Sequence, residues 1–143
     1  MHADLHKDAI DFTLNRCSKI SNKLIPLNMD IVRAVKLLSS KDPLHLVVTG
    51  GVFDYISNRI IAFIIKNCYE KLVTGGKFVF TNIAEPNPYR LGMELVFNWR
   101  LIMRSKELLE SFCNVIDLPK ESMSIKLDDS GLTYIVDLIK KPK

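Results

Sequence analysis

Two short apolar runs, each joined to a Gly-Gly pair, constrain the fold of this chain more than any other feature. One is Leu44-His45-Leu46-Val47-Val48-Thr49-Gly50-Gly51; the other is Leu72-Val73-Thr74-Gly75-Gly76-Lys77-Phe78-Val79-Phe80. Between them, residues 58–73 place Ile60, Ile61, Phe63, Ile64, Cys68 and Leu72 at spacings that gather on one side of a helix. The first Gly pair follows its strand, where ligands sit in open α/β sheets. The second precedes its strand, where glycine accepts the left-handed conformation that closes a helix. The pattern predicts one β-α-β unit with a binding edge, Ser57 capping the helix and a buried, parallel first strand over 44–49.

The flanks extend the alternation. Residues 8–18 read as a helix, with Ala9, Ile10, Phe12, Leu14 and Cys17 as its apolar set. Residues 23–28 are a short extended candidate, where Pro26 suits an edge strand. Asp30 is placed to cap a helix over 30–38, and 39–43 read as loop. Downstream, 77–82 is the next strand and 84–88 a rigid loop. Residues 90–112 are mostly helical, broken near Arg104-Ser105 with Ser105 as a second cap. Residues 123–127 and 132–139 flank Asp128-Asp129-Ser130-Gly131 as a β-hairpin. The predicted fold is α/β, a three-layer, mostly parallel sheet with helices on both faces and a C-terminal antiparallel hairpin.

The remaining composition narrows the function classes. At 143 residues and 48% hydrophobic content the chain reads as one domain over 1–143. No apolar run approaches the roughly 20 residues of a bilayer span, and no signal peptide is visible at residues 1–8. A cytoplasmic protein without a membrane span is expected. The net charge of +4 is mild and the basic residues are spread out, so no nucleic-acid partner is expected. Cys17, Cys68 and Cys113 are far apart and odd in number, and His2, His6 and His45 do not cluster with them. No metal site or disulfide framework is expected, only reduced and mostly buried thiols.

The residues resemble a known family, the class I S-adenosylmethionine-dependent methyltransferases. Within it they are similar to bacterial members carrying a Gly-Leu-Phe-Asp-Tyr-Leu signature, which stands here as Gly51-Val52-Phe53-Asp54-Tyr55-Ile56. Leu72-Val73-Thr74-Gly75-Gly76 resembles that group's Leu-x-Pro-Gly-Gly motif, with Thr74 in place of proline. Asn87-Pro88-Tyr89-Arg90, Met93-Glu94 and the run from Trp99 to Arg104 match further motifs in the same order. The resemblance implies a Rossmann-like methyltransferase sheet ending in an inserted antiparallel strand. It also implies S-adenosylmethionine as cofactor and a small-molecule or carboxyl-bearing acceptor.

By resemblance, Asp4 ends the second strand of that family's sheet and accepts from the ribose hydroxyls, as a carboxylate can from two adjacent donors. Met29 and Asp30 follow the third strand, set against the adenine ring and its amino group. Gly50 and Gly51 follow the fourth strand, where they line the methionine end of the cofactor or simply allow a tight turn. Glu94 is the acid–base candidate, or else a solvated helix acid. Tyr55 either reaches the methyl-transfer zone or packs, and Asp54 caps the following helix. Arg90 and Arg104 hold an anionic acceptor or make surface salt bridges. Trp99 walls the acceptor pocket or belongs to the core.

The family's first strand and glycine-rich loop have no counterpart in these residues, so the sequence reads as an N-terminally truncated, incomplete domain. That strand lies between the second and fourth, so the 44–49 strand is expected to lose a neighbour. Either the third and fourth strands pair directly, or a second copy or another chain covers the edge. Weak or no catalysis is expected of the isolated chain. The competing reading is a degenerate, non-catalytic remnant or interaction module; a nucleotide-dependent oxidoreductase fits the hairpin ending and the Trp99–Arg104 run less well.

Overall fold

The computed structural model describes residues 1–38, 43–114, 118 and 120–142. The chain divides into two compact units, Met1–Lys41 and Asp42–Lys143.

The first unit is built on a parallel pair, β1 (His2–Asp4) and β2 (Pro26–Asn28), with Ala3 opposite Leu27. Helix α1 (Lys7–Arg16) and a 3-10 turn over Ser18–Lys23 connect them, so the extended segment is shorter than the predicted 23–28. Helix α2 (Ile31–Leu38) follows, and its first turn shows why Asp30 lies just outside it. Asp30 Oδ1 accepts the Arg33 N–H at 3.0 Å, and its Oδ2 lies 3.2 Å from Arg33 Nε, the expected cap. Ile10, Ala34 and Val35 are the buried apolar residues among those described in this unit. Most of the predicted 39–43 loop lies outside the described residues.

The second unit holds a four-stranded sheet in the order β3-β4-β6-β5. Strands β3 (Leu44–Thr49) and β4 (Leu72–Ile83) are parallel, joined by helix α3 (Asn58–Lys71). Strands β5 (Met123–Leu127) and β6 (Thr133–Ile139) form the hairpin, and β6 pairs antiparallel to both β4 and β5. Asp128 closes the hairpin by accepting the Leu132 and Thr133 N–H groups at 3.1 and 3.2 Å through Oδ1. Alternation along β4 buries Phe78, Phe80 and Asn82 on one face. There Phe53 packs against both rings, with centroids 6.4 and 4.8 Å away. Ile61, Ile64, Ile65 and Cys68 of α3 and Val136 and Leu138 of β6 complete this core. Burial pushes the Cys68 thiol up to about 12.

Several local expectations are corrected. Ser57 stands at the N-cap of α3 but makes no side-chain cap bond; only its carbonyl serves the helix. Helix α3 ends at Lys71 and runs straight into β4, so the Gly-Gly pair does not close it. Gly75 has φ +80° inside β4, where the register with β3 shifts between Leu44 and Leu46. Gly76 is required there for a different reason. A Cβ on it would stand 2.8 Å from the Val73 carbonyl oxygen and 3.0 Å from that of Leu44.

Helix α4 covers only Arg90–Leu95, and α5 (Lys106–Asn114) begins after Ser105, whose Oγ accepts the Leu108 N–H at 3.3 Å. The intervening chain is not helical because Arg104 pairs with β4's end. Its N–H reaches the Ile83 carbonyl at 3.1 Å, and its carbonyl takes the Glu85 N–H at 3.0 Å. Within the first unit β2 pairs with β1, and within the second β3 pairs with β4. Strand β3 ends its sheet, and the reading of it as buried is corrected, since Leu46 and Val48 are 60% and 63% exposed.

Candidate functional site

In the first unit the three residues at the carboxyl ends of the parallel pair come together. The Met29 N–H donates to the Asp4 carbonyl at 3.1 Å, and Asp30 follows directly. The Asp4 side chain is half-buried, and its Oδ1 accepts the His6 N–H at 2.8 Å. No described residue donates to its other oxygen in the structure, so a diol has an acceptor to use. Asp30 already serves α2 with both oxygens, so an amino group there would share an acceptor with Arg33.

In the second unit Gly50 and Gly51 follow β3. Gly51 adopts φ +73°, and its N–H donates to Thr81 Oγ1 at 2.9 Å. A Cβ on Gly50 would meet nothing within 4 Å, so this backbone is open to close approach. The chain then makes a 3-10 turn over Val52–Tyr55, burying Phe53 and Asp54 and exposing Tyr55. Asp54 does not cap α3. Its Oδ1 accepts the Ile83 N–H at 2.8 Å, and its carbonyl accepts the Ile102 N–H at 2.8 Å. Burial raises the Asp54 carboxyl above its ordinary range, against the Ile83 bond and the Arg104 charge, which lower it.

Arg104 occupies the centre of this region and is 0% exposed. Its Nη1 donates to the Phe53 carbonyl at 2.7 Å and to Asn82 Oδ1 at 2.6 Å; its Nη2 donates to the Ile56 carbonyl at 2.7 Å. Its Nε donates to Asn58 Oδ1 at 3.0 Å, and the guanidinium lies over the Phe112 ring at 5.9 Å. A guanidinium so enclosed has no open edge for a carboxylate, and it makes no salt bridge among the described residues. Both sequence readings of Arg104 therefore give way to an internal role. Arg90 does lie at the surface, with Nε 2.9 Å from Glu94 Oε1 and Nη1 3.7 Å from Glu85.

Tyr55 and Trp99 are brought together. The indole N–H donates to the Tyr55 hydroxyl at 2.9 Å, and the two residues are 61% and 49% exposed. Trp99 is therefore not a core residue. Leu91, Leu95, Val96 and Phe97, which precede it in the sequence, are also exposed. Two residues were missed in the sequence: Thr81, which holds Gly51, and Asn82, which donates to the Ile83 and Ile102 carbonyls at 3.0 Å each. Asn82 was legible in principle. It falls in phase with Phe78 and Phe80, and a polar side chain on the buried face of a strand requires partners.

No family model matches the sequence, and no curated protein matches it. Solved structures do. A possible exported protein from Bordetella parapertussis matches with TM-score 0.71 at 14% identity, over 98% of this chain and 52% of its own. An O-methyltransferase family protein from Burkholderia thailandensis matches with TM-score 0.71 at 9% identity, over 96% of this chain and 42% of its own. Magnesium protoporphyrin IX methyltransferase from Synechocystis, solved with bound S-adenosylmethionine, matches with TM-score 0.62 at 6% identity, over 97% and 58%. The fold is α/β, similar to that of these solved structures, two of them methyltransferases, and the chain spans about half their length.

Proposed function

We propose that residues 1–143 form a single S-adenosylmethionine-dependent methyltransferase-like domain of the Gly-Leu-Phe-Asp-Tyr-Leu group, serving methyl transfer to a small-molecule or carboxyl-bearing acceptor. The observation that carries this reading is the placement of chemically apt residues at the carboxyl ends of parallel strands in a methyltransferase fold. In this reading Asp4, Met29 and Asp30 after β1 and β2 are the cofactor-binding candidates of the first unit, and Gly50 and Gly51 after β3 are those of the second. When bound, S-adenosylmethionine supplies an activated methyl group on a sulfonium. The chain's own part is orientation and exclusion of water: Tyr55 and Trp99 offer an aromatic wall for the acceptor, and Arg90 a cation for its carboxylate. A carboxylate has no proton to lose before methylation, so Glu94 acts in this reading by holding Arg90 at 2.9 Å rather than as a base.

Arg104 drops out of the acceptor set because it is enclosed. A second reading, a domain that has lost cofactor binding and serves as an interaction module, is favoured by the exposed apolar edge of β3. Isothermal titration with S-adenosylmethionine separates the two. Micromolar binding supports the first, and no heat at millimolar ligand supports the second.

A further inference from the structure

Two exposed aromatic side chains that hydrogen-bond to each other are normally mobile, because water competes for both polar ends. Here the backbone segments that carry them converge on one buried group. Arg104 bonds the Phe53 and Ile56 carbonyls at 2.7 Å each, bracketing Tyr55 in the chain. On the Trp99 side, the Ile102 carbonyl takes the Asn82 amide at 3.0 Å and Arg104 Nη1 at 3.4 Å. The Ile102 N–H reaches the Asp54 carbonyl at 2.8 Å, closing the two segments on each other. Planar, forked donors are what let one side chain hold carbonyls from two directions.

We propose that Arg104 is a positioning residue that fixes the Tyr55–Trp99 pair as a preformed wall. This rests on the reading of that pair as the acceptor-facing surface, and it assigns the most buried cation of the unit a role that its enclosure otherwise leaves purely architectural. Lysine at this position keeps the charge but cannot make the fork, so the turn and the 99–104 segment keep the Ile102–Asp54 backbone bond but lose the side-chain clamp that fixes Tyr55 against Trp99.

Trp99 is the chain's only tryptophan and so reports on the pair directly. The test compares Trp99 emission and acrylamide quenching in the ligand-free full chain for wild type, Tyr55→Phe, Arg104→Lys and the double variant, with circular dichroism confirming folding. The expected result is a red shift and raised quenching in Arg104→Lys equal to those of Tyr55→Phe, with no further change in the double variant. Wild-type quenching in a folded Arg104→Lys, or no change in Tyr55→Phe, overturns the proposal. Should Arg104→Lys fail to fold, Asn58→Ala removes only the acceptor of Nε and is expected to shift Trp99 in the same direction by less; a folded Asn58→Ala with wild-type emission overturns it. The assay contains no cofactor, so absence of S-adenosylmethionine binding by wild type would sink the functional reading alone.

Discussion

The Asp54 carboxylate accepts the Ile83 amide at 2.8 Å, tying the turn after β3 to the last residue of β4. Burial raises its carboxyl above the ordinary 3.8, outweighing the amide and the Arg104 charge. The folded chain then binds the proton more tightly than the unfolded chain does. Stability from this group is fully present at or below 3.8 and declines as pH rises through the folded value. Asp54→Asn keeps an oxygen for Ile83 and cannot titrate. In urea unfolding at a series of pH values, the wild type's advantage over Asp54→Asn is expected to be largest at low pH and to shrink as pH rises. An advantage that grows with pH contradicts the assignment.

The two arginines that sequence reasoning treated alike are expected to behave oppositely. Arg104→Met leaves the Phe53 and Ile56 carbonyls, Asn82 and Asn58 without their donor. With each buried orphan costing about 1–3 kcal/mol, a loss of at least about 3 kcal/mol is expected. Arg90→Gln breaks only exposed pairs, and its effect is expected within about 0.5 kcal/mol. Urea midpoints at constant slope measure both, and equal losses would refute the contrast.

Why one arginine was legible and the other not has a physical cause. Period-two and helical patterns mark where apolar segments lie, so β3, α3 and the hairpin appear in the sequence, although β3 is not buried and β4 begins at Leu72 rather than at residue 77. A buried polar hub has no such period: Arg104, Asn82 and Asn58 come from three separate segments and meet only when β4 pairs with the chain before α5. The helix over 90–112 failed for the same reason. Its residues favour a helix locally, but the Ile83 and Glu85 backbone groups take Arg104 into a bridge instead. The resemblance put Asp4 at one strand end and Met29-Asp30 after another, and β1 and β2 do end there, because that placement depends only on where two short parallel strands stop.

Glycines in similar-looking contexts also separate. Gly76→Ala must place a methyl group 2.8 Å from one backbone oxygen and 3.0 Å from another, neither of which is a flexible side chain. A destabilisation of about 1–3 kcal/mol is expected, as for overpacking. Gly92 lies within α4, and a methyl group added to it would meet nothing within 4 Å, so Gly92→Ala is expected to stabilise by up to about 1 kcal/mol. Thermal or urea unfolding checks both signs.

Strand β3 ends its sheet with Leu46 and Val48 exposed, and we expect a second copy or another chain to cover this edge. Light scattering of the purified chain is expected to give a mass above the 16.3 kDa monomer, and Leu46→Lys with Val48→Lys to return it to monomer. A clean wild-type monomer leaves no role for self-association at this edge.

Asp4 offers the sharpest test of cofactor binding because the proposed site would use the oxygen that does not hold His6. Oδ1 holds the His6 N–H at 2.8 Å, which Asp4→Asn can preserve through its carbonyl oxygen. The other oxygen, which would accept from the ribose, becomes an NH₂ donor and loses its charge. Little stability should change, since the site is only half-buried. Hydrogen bonds to a charged acceptor contribute about 1.5–3 kcal/mol, so S-adenosylmethionine affinity is expected to fall by roughly 10- to 100-fold. Glu94→Gln, whose side chain bonds Arg90 on α4, is expected to leave that affinity unchanged. Calorimetric titration of both variants decides the matter: equal Kd values for Asp4→Asn and wild type would remove Asp4 from the cofactor site. A loss shared by Glu94→Gln would instead mean that binding responds to the fold at large rather than to the carboxyl end of β1.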